Sequence, residues 1–250
     1  NNNISKDANN SLGVMIGVKD IFNTMEMPTK MGSDAWKNFN SGFDSRVIHT
    51  LRTKLYMIAG KTNTAEFAVD HQSKTKYVFN EKLYGGTSSS GSAAAVSTRM
   101  CPIALASQTA GSTIRPASYN GIFGFKPSFG VIPRTGILKT SDTLDTISLM
   151  TSNFIDIKFF FNNIRVKGHN YPFAGLIDKN AQKYNTNKKF RILVAKCNNI
   201  ENNINETVKL NFIKFISKLR RLGYHVDDKE SSTPNFLNNI HNHHDKLYSK

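Results

Sequence analysis

The sequence predicts an α/β fold in which helices sandwich a sheet. Three observations predict it. Short apolar runs of strand length alternate with stretches of helical periodicity. A complete strand–helix–strand pattern is readable over 190–226. And 39% hydrophobic with 10% aromatic residues is enough to bury a sizeable core, which a disordered chain lacks. A length of 250 residues allows one large domain or two small ones.

Taken in order, Val14-Met15-Ile16-Gly17-Val18 reads as a buried strand, and Val47–Arg52 as at least one helical turn. Leu55–Ala59 is the strand after it, and Gly60-Lys61-Thr62 reads as the turn that ends it. Ser92-Ala93-Ala94-Ala95-Val96 has the small side chains of a helix packed close to its neighbours. Residues 11–150 are rich in Gly, Ser, Thr and Ala, 151–189 read as a connector, and 190–250 open a second half. There Phe190–Ala195 has strand character, and Asn205-Glu206 opens a helix with Val208, Phe212, Phe215, Ile216, Leu219 and Leu222 on one face. Gly223 is placed to end it, and Tyr224-His225-Val226 resumes extended structure. No internal repeat is present.

Composition narrows the function. With Gly 16 and Pro 7, collagen-like and mucin-like chains are excluded. No run approaches the ~18 apolar residues of a membrane span, so no membrane partner is expected. Two cysteines, Cys101 and Cys197, make neither a disulfide framework nor a four-ligand zinc site, and a reducing, cytoplasmic setting is expected. The chain opens Asn1-Asn2-Asn3 without an initiator Met, so an upstream segment is expected. Net charge is 33 − 18 = +15. The lysines are scattered and travel with 28 asparagines, 17 of them after residue 150, and no basic stripe interleaves with aromatics. Nucleic acid is therefore not the expected partner.

Several motifs fail. Gly60-Lys61-Thr62 imitates the end of a phosphate-binding loop but has Leu55 where that loop needs glycine. No G-x-S-x-G elbow is present. Ser73-x-x-Lys76 lacks the companion motifs of a penicillin-recognising site. His241, His243 and His244 lie at a polar chain end without Cys or carboxylate at ligand spacing, so no metal is expected. His49 and His71 sit in no recognisable catalytic setting.

Two serine-rich loops remain: Gly85-Gly86-Thr87-Ser88-Ser89-Ser90-Gly91-Ser92, and Ser107-Gln108-Thr109-Ala110-Gly111-Ser112-Thr113-Ile114-Arg115-Pro116. Apolar runs lie hard against both, so they are not linkers. Tight polar loops between buried elements bring backbone N–H groups and hydroxyls to a substrate. This pattern resembles the amidase signature family, the Ser–cis-Ser–Lys amidohydrolases. Gly17-Val18-Lys19-Asp20 with Met27-Pro28-Thr29 resembles the family's lysine motif. Gly60–Phe67 and Thr143-Leu144-Asp145-Thr146 resemble further segments of it.

The resemblance implies an α/β/α sandwich with a central mixed sheet and a single amidase-type domain over 1–250, with a signature core at 11–150. It carries the base lysine onto Lys19, the cis-peptide serine onto Ser88 and the nucleophile onto Ser112, at spacings of 88 − 19 = 69 and 112 − 88 = 24. The oxyanion loop falls on Thr109, Ala110 and Gly111. Arg115 matches an arginine that meets an acidic substrate group in some members and is structural in others. An acyl-enzyme on a small-molecule amide, with no cofactor, is the implied chemistry, and a homodimer is an assembly it allows. Thr87 and Ala110 stand where glycine is frequent, Asn120 where cysteine is, and Asp70–Tyr84 lacks the usual prolines. Family members are longer, so a chain incomplete at its C-terminus is expected. Alternatives are the A subunit of Glu-tRNA(Gln) amidotransferase, which acts as a glutaminase, and a catalytically inactive remnant.

Overall fold

In the computed structural model, which describes residues 13–69, 72–167, 190–194 and 204–227, the apolar run near the start becomes strand β1 (Met15–Lys19). Helix α1 (Arg46–Thr53) follows, burying Val47, Ile48 and Leu51. Strand β2 is Met57–Thr62. It starts later than expected because Leu55, at φ 61, closes the turn after α1. It also runs through Gly60-Lys61-Thr62, where a turn was expected, because those residues pair with Gly17, Val18 and Lys19. A short antiparallel pair, β3 (Lys76–Tyr77) and β4 (Asn80–Tyr84), precedes helix α2 (Ser90–Ser97). Strand β5 (Ile103–Gln108), helix α3 (Ile114–Tyr119), and strands β6 (Phe123–Phe125) and β7 (Thr146–Thr151) complete the core, with helix α4 (Phe154–Ile164) after them.

The sheet has the order β2-β1-β5-β7-β6. β1 is parallel to β2 and β5, and β7 is antiparallel to β5 and β6, so the sheet is mixed. Successive side chains of a strand face opposite sides, and here the two sides differ in size. Ile16, Val18, Ile103, Leu105, Ile147 and Leu149 pack with Val47, Ile48 and Leu51 of α1 and with Phe160 and Ile164 of α4. Ala104, Ala106 and Met150 face Ala93 and Val96 of α2 and Ala117 of α3. The small side chains let α2 lie close to the sheet. A Cβ on Gly17 would sit 3.0 Å from Cys101 Sγ and 3.4 Å from Ala104 Cβ, and one on Gly91 only 2.4 Å from the Asn63 backbone nitrogen.

Helix α4 lies within the segment read as a connector. Asn153 caps it by accepting from Ile155 N at 3.0 Å. Lys158, Asn162 and Asn163 blur its apolar period, yet Asn163 is itself buried, donating to the Tyr56 hydroxyl at 2.9 Å. The chain divides into two units between residues 180 and 181. In the second, β8 (Arg191–Leu193), α5 (Glu206–Arg221) and β9 (His225–Asp227) form the expected strand–helix–strand unit, with β8 and β9 parallel. Asn205 caps α5 by accepting from Thr207 N, and Gly223 leaves it at φ 79. Of the apolar residues expected on one face of this helix, Ile216 is buried and Leu219 half-buried, while Val208, Phe212, Phe215 and Leu222, the last just past its end, are exposed. Among the described residues no helix is long and apolar enough to cross a membrane.

Candidate active site

Lys19 is the last residue of β1, with 0% of its surface exposed. Val18 pairs with Leu105 across the parallel β1–β5 ladder, so the outgoing end of β5 lies alongside it. Lys19 Nζ donates to Ser88 Oγ at 2.9 Å and to Ser107 Oγ at 2.8 Å. Burial penalises the ammonium and brings the Lys19 pKa down from 10.5 to about 7, while the negative charge of Asp145 opposes that fall.

Ser88 lies between β4 and α2, buried, directly after a cis peptide bond from Thr87. Its carbonyl accepts from Thr64 Oγ1 at 3.0 Å and Ala65 N at 3.2 Å. The neighbouring hydroxyls turn elsewhere. Ser89 Oγ donates to the Ser107 carbonyl, Ser90 Oγ to Ser73 Oγ at 2.6 Å, and Ser92 Oγ to the Leu105 carbonyl at 2.9 Å. Ser88 therefore meets the lysine, and the others fasten α2 to its surroundings.

Ser112 is half-buried between β5 and α3, and its carbonyl accepts from Ser89 N at 3.3 Å, which joins the two serine loops. Next to it, Thr109 and Gly111 are half-buried and Ala110 is exposed. Gln108 organises this loop from within. Its Nε2 donates to the Ala110 carbonyl at 2.7 Å, and its Oε1 accepts from Thr113 N at 2.9 Å and Ile114 N at 3.0 Å. Arg115 is half-buried and flanks Gly111: a Cβ there would lie 3.9 Å from both Arg115 Cβ and Nε.

The two loops are also held from behind. A Cβ on Gly86, at φ 86, would come within 2.7 Å of Pro116 Cα, so only glycine allows this approach. Asn120, buried at the end of α3, donates from Nδ2 to the Gly85 and Pro116 carbonyls at 2.9 and 2.8 Å.

The structure thus brings Lys19, Ser88 and the 109–112 loop to one end of the sheet. Ser107 and Gln108 were missed by sequence reasoning, although both lie inside the second serine-rich loop; their adjacency to Ser112 was the available signal. Lys61 belongs to the support: it pairs with Asp20 at 3.1 Å and donates to Thr29 Oγ1 and the Phe22 carbonyl, fixing the turn after β1. His49 is exposed on α1, and Lys76 lies over the Tyr84 ring, 4.7 Å from its centroid. His71, Cys197, His241, His243 and His244 lie outside the described residues.

Known proteins share this arrangement of sequence and fold. The chain matches the Amidase family over residues 4–243. It is 31% identical over 229 residues to the A subunit of glutamyl-tRNA(Gln) amidotransferase from Chlamydia felis, covering 86% of this chain and 45% of that protein. It is 32% identical over 238 residues to the corresponding protein of Macrococcus caseolyticus, covering 89% and 48%. Among solved structures, the A subunit of the Thermotoga maritima amidotransferase superposes with a TM-score of 0.73 at 27% identity, covering 87% of this chain and 50% of that one. The peptide amidase of Stenotrophomonas maltophilia superposes at 0.74 with 23% identity, over 88% and 48%, a likeness of fold. The chain spans about half the length of the curated relatives it matches.

Proposed function

The chain belongs to the amidase family, and from that premise we propose that it cleaves a non-peptide amide through an acyl-enzyme on Ser112. The observation that carries this reading is the buried Lys19, poised near neutrality and hydrogen-bonded to Ser88. An ordinary lysine would be protonated and useless as a base at pH 7. Lys19 draws a proton from Ser88 as Ser88 draws one from Ser112, and Ser112 Oγ attacks the carbonyl carbon. Backbone N–H groups of residues 109–112 take the charge on the tetrahedral oxygen, each donor being worth ~10²–10³ in rate. The relay returns the proton to the departing amine, and water frees the acyl group. Arg115, beside Gly111, meets an acidic group of the substrate in this reading.

A second reading is favoured by the relatives' names. Proteins named as the A subunit of glutamyl-tRNA(Gln) amidotransferase match at 31–32% identity over most of this chain. The substrate would then be the side-chain amide of glutamine, in a chain that works beside partner subunits. The test is labelling with a serine-directed fluorophosphonate, read by intact mass. A single adduct mapped to Ser112 and lost in Ser112→Ala is expected; absence of any adduct on folded protein overturns the proposal. Ammonia release from glutamine, against release from simple aliphatic amides, separates the two readings.

A further inference from the structure

Asp145 is a buried carboxylate of this region that the proton relay does not use. It sits one residue before β7, and β7 runs antiparallel to β5 with Thr146 opposite Gln108. That register delivers Asp145 to the flank of the 109–112 loop. Its Oδ1 accepts from Thr109 Oγ1 at 2.6 Å and Thr140 Oγ1 at 2.9 Å, and its Oδ2 from Thr140 N at 2.6 Å and Ser141 N at 2.9 Å. One carboxylate thus ties the 109–112 loop to the 140–145 turn.

We propose that Asp145 is a positioning residue for the oxyanion loop, fixing Thr109 from outside the loop while presenting its charge to the buried Lys19. This rests on the reading of Ser112 as nucleophile. Inside the loop, Gln108 holds Ala110, Thr113 and Ile114 but not Thr109; the Thr109 hydroxyl is held from outside, by Asp145 at 2.6 Å and by Thr140 Oγ1 at 3.2 Å. Burial alone would raise the Asp145 carboxyl, but hydrogen bonds from Thr109, Ser141 and Thr140 outweigh that and hold it below its ordinary value, so it is ionised whenever the site works. Lys19 contacts two hydroxyls, Ser88 and Ser107. The neighbouring Asp20 is already paired with Lys61, and Lys139 and Asp142 on the Asp145 turn face each other at 3.9 Å in solvent. Asp145 precedes Thr146, which pairs with Gln108 beside Ser107, the hydroxyl bonded to Lys19, and from there its negative charge opposes the fall of the Lys19 pKa.

Two substitutions separate tie from charge. Asp145→Asn can keep all four bonds with its amide turned so that the oxygen faces Thr140 N and Ser141 N and the NH₂ faces the two threonine hydroxyls, which accept as readily as they donate. Asp145→Ala removes both. Three readouts apply to the full chain: amide exchange of residues 109–113, the Lys19 titration followed by NMR, and the pH profile of fluorophosphonate labelling at Ser112. Asp145→Ala is expected to speed exchange of 109–113 by about tenfold or more and to cut labelling by about 100-fold on the plateau above the Lys19 midpoint, with its acid limb moved to lower pH as in Asp145→Asn. Asp145→Asn is expected to keep wild-type exchange while moving the Lys19 midpoint, and the acid limb of labelling, to lower pH. Wild-type exchange in Asp145→Ala, or an unmoved Lys19 midpoint in Asp145→Asn, overturns the proposal. If the wild-type chain takes no label, the amidase reading fails, while exchange and the Lys19 titration still decide the role of Asp145.

Discussion

Lys19 Nζ donates to Ser88 Oγ across 2.9 Å, although the two residues stand 69 positions apart. The contact is between a buried amine and a hydroxyl, with no carboxylate among the described residues in hydrogen-bond contact. Lys61, one strand away, shows the contrast: it is also depressed by burial, but it has Asp20 at 3.1 Å to hold its charge. A hydroxyl stabilises an ammonium less than a carboxylate does, so the neutral amine is favoured at Lys19.

The acid limb of activity follows from this. Only the neutral amine accepts the Ser88 proton, so the labelling rate of Ser112 is expected to rise with pH through about 7, the Lys19 value, rather than near 10.5. Lys19→Met should lower that rate by ~10²–10⁴ and abolish the limb. A rate still climbing between pH 9 and 11 in the wild type would contradict it.

Stability carries the same signature with its own sign. With a folded pKa near 7 and an unfolded one near 10.4, the unfolded chain binds more protons between those values. Stability is therefore present above the unfolded pKa and is lost as pH falls from there to the folded one. Lys19→Met removes that cost together with two hydrogen bonds. At pH 6 the variant should be more stable than wild type by about 1–3 kcal/mol, with the gap closing toward pH 10. Urea melts at both pH values measure it.

Gly91→Ala should be severe. Its methyl would lie 2.4 Å from Asn63 N and 2.6 Å from Asn63 O, both backbone atoms that cannot yield. A loss of roughly 3 kcal/mol or more is expected. Gly60→Ala, in a strand with nothing within 4 Å of the new methyl, should change stability by about 1 kcal/mol or less. Thermal melts of the pair provide the comparison.

Asn120 offers a test by charge. Its Nδ2 faces two carbonyls, and its Oδ1 is buried with no hydrogen-bond partner among the described residues. Asn120→Ala leaves the Gly85 carbonyl unpaired at a cost of about 1–3 kcal/mol. Asn120→Asp turns a carboxylate onto those carbonyls and should cost more at pH 7, with the excess fading toward pH 4 as the acid protonates and can donate. Denaturation midpoints of both variants at the two pH values read this out.

What the sequence disclosed depended on whether the signal was local. β1 and α1 were legible because their apolar periods are carried within a few residues, and α5 because Asn205 and Gly223 bracket it. The continuation of β2 through Gly60–Thr62 was not, since Gly-Lys-Thr reads as a turn until its pairing with Gly17–Lys19 is known. α4 was hidden because Asn163 looks like a break in the apolar stripe and is a buried donor to Tyr56 across 107 positions. On α5, periodicity named an apolar face but not what lies over it, and Ile216 is the residue of that face that is buried. In the candidate site, Lys19, Ser88 and Ser112 were singled out by the resemblance of their motifs to those of the amidase family. The contacts of Ser107 with Lys19 and of Asp145 with Thr109 span 88 and 36 positions, which no short window records.

The strand order has a kinetic corollary. β1 has β2 on one side and β5 on the other, and its pairing to β5 joins Ile16 with Ile103. Closing so long an intervening segment is entropically slow compared with forming α1 or the β3–β4 pair. Lys19 and Ser107 lie on the two strands that this closure unites. After dilution from denaturant, helical signal should return well before reactivity, and reactivity should appear in the phase that zips β1 onto β5, with no partly competent species preceding it.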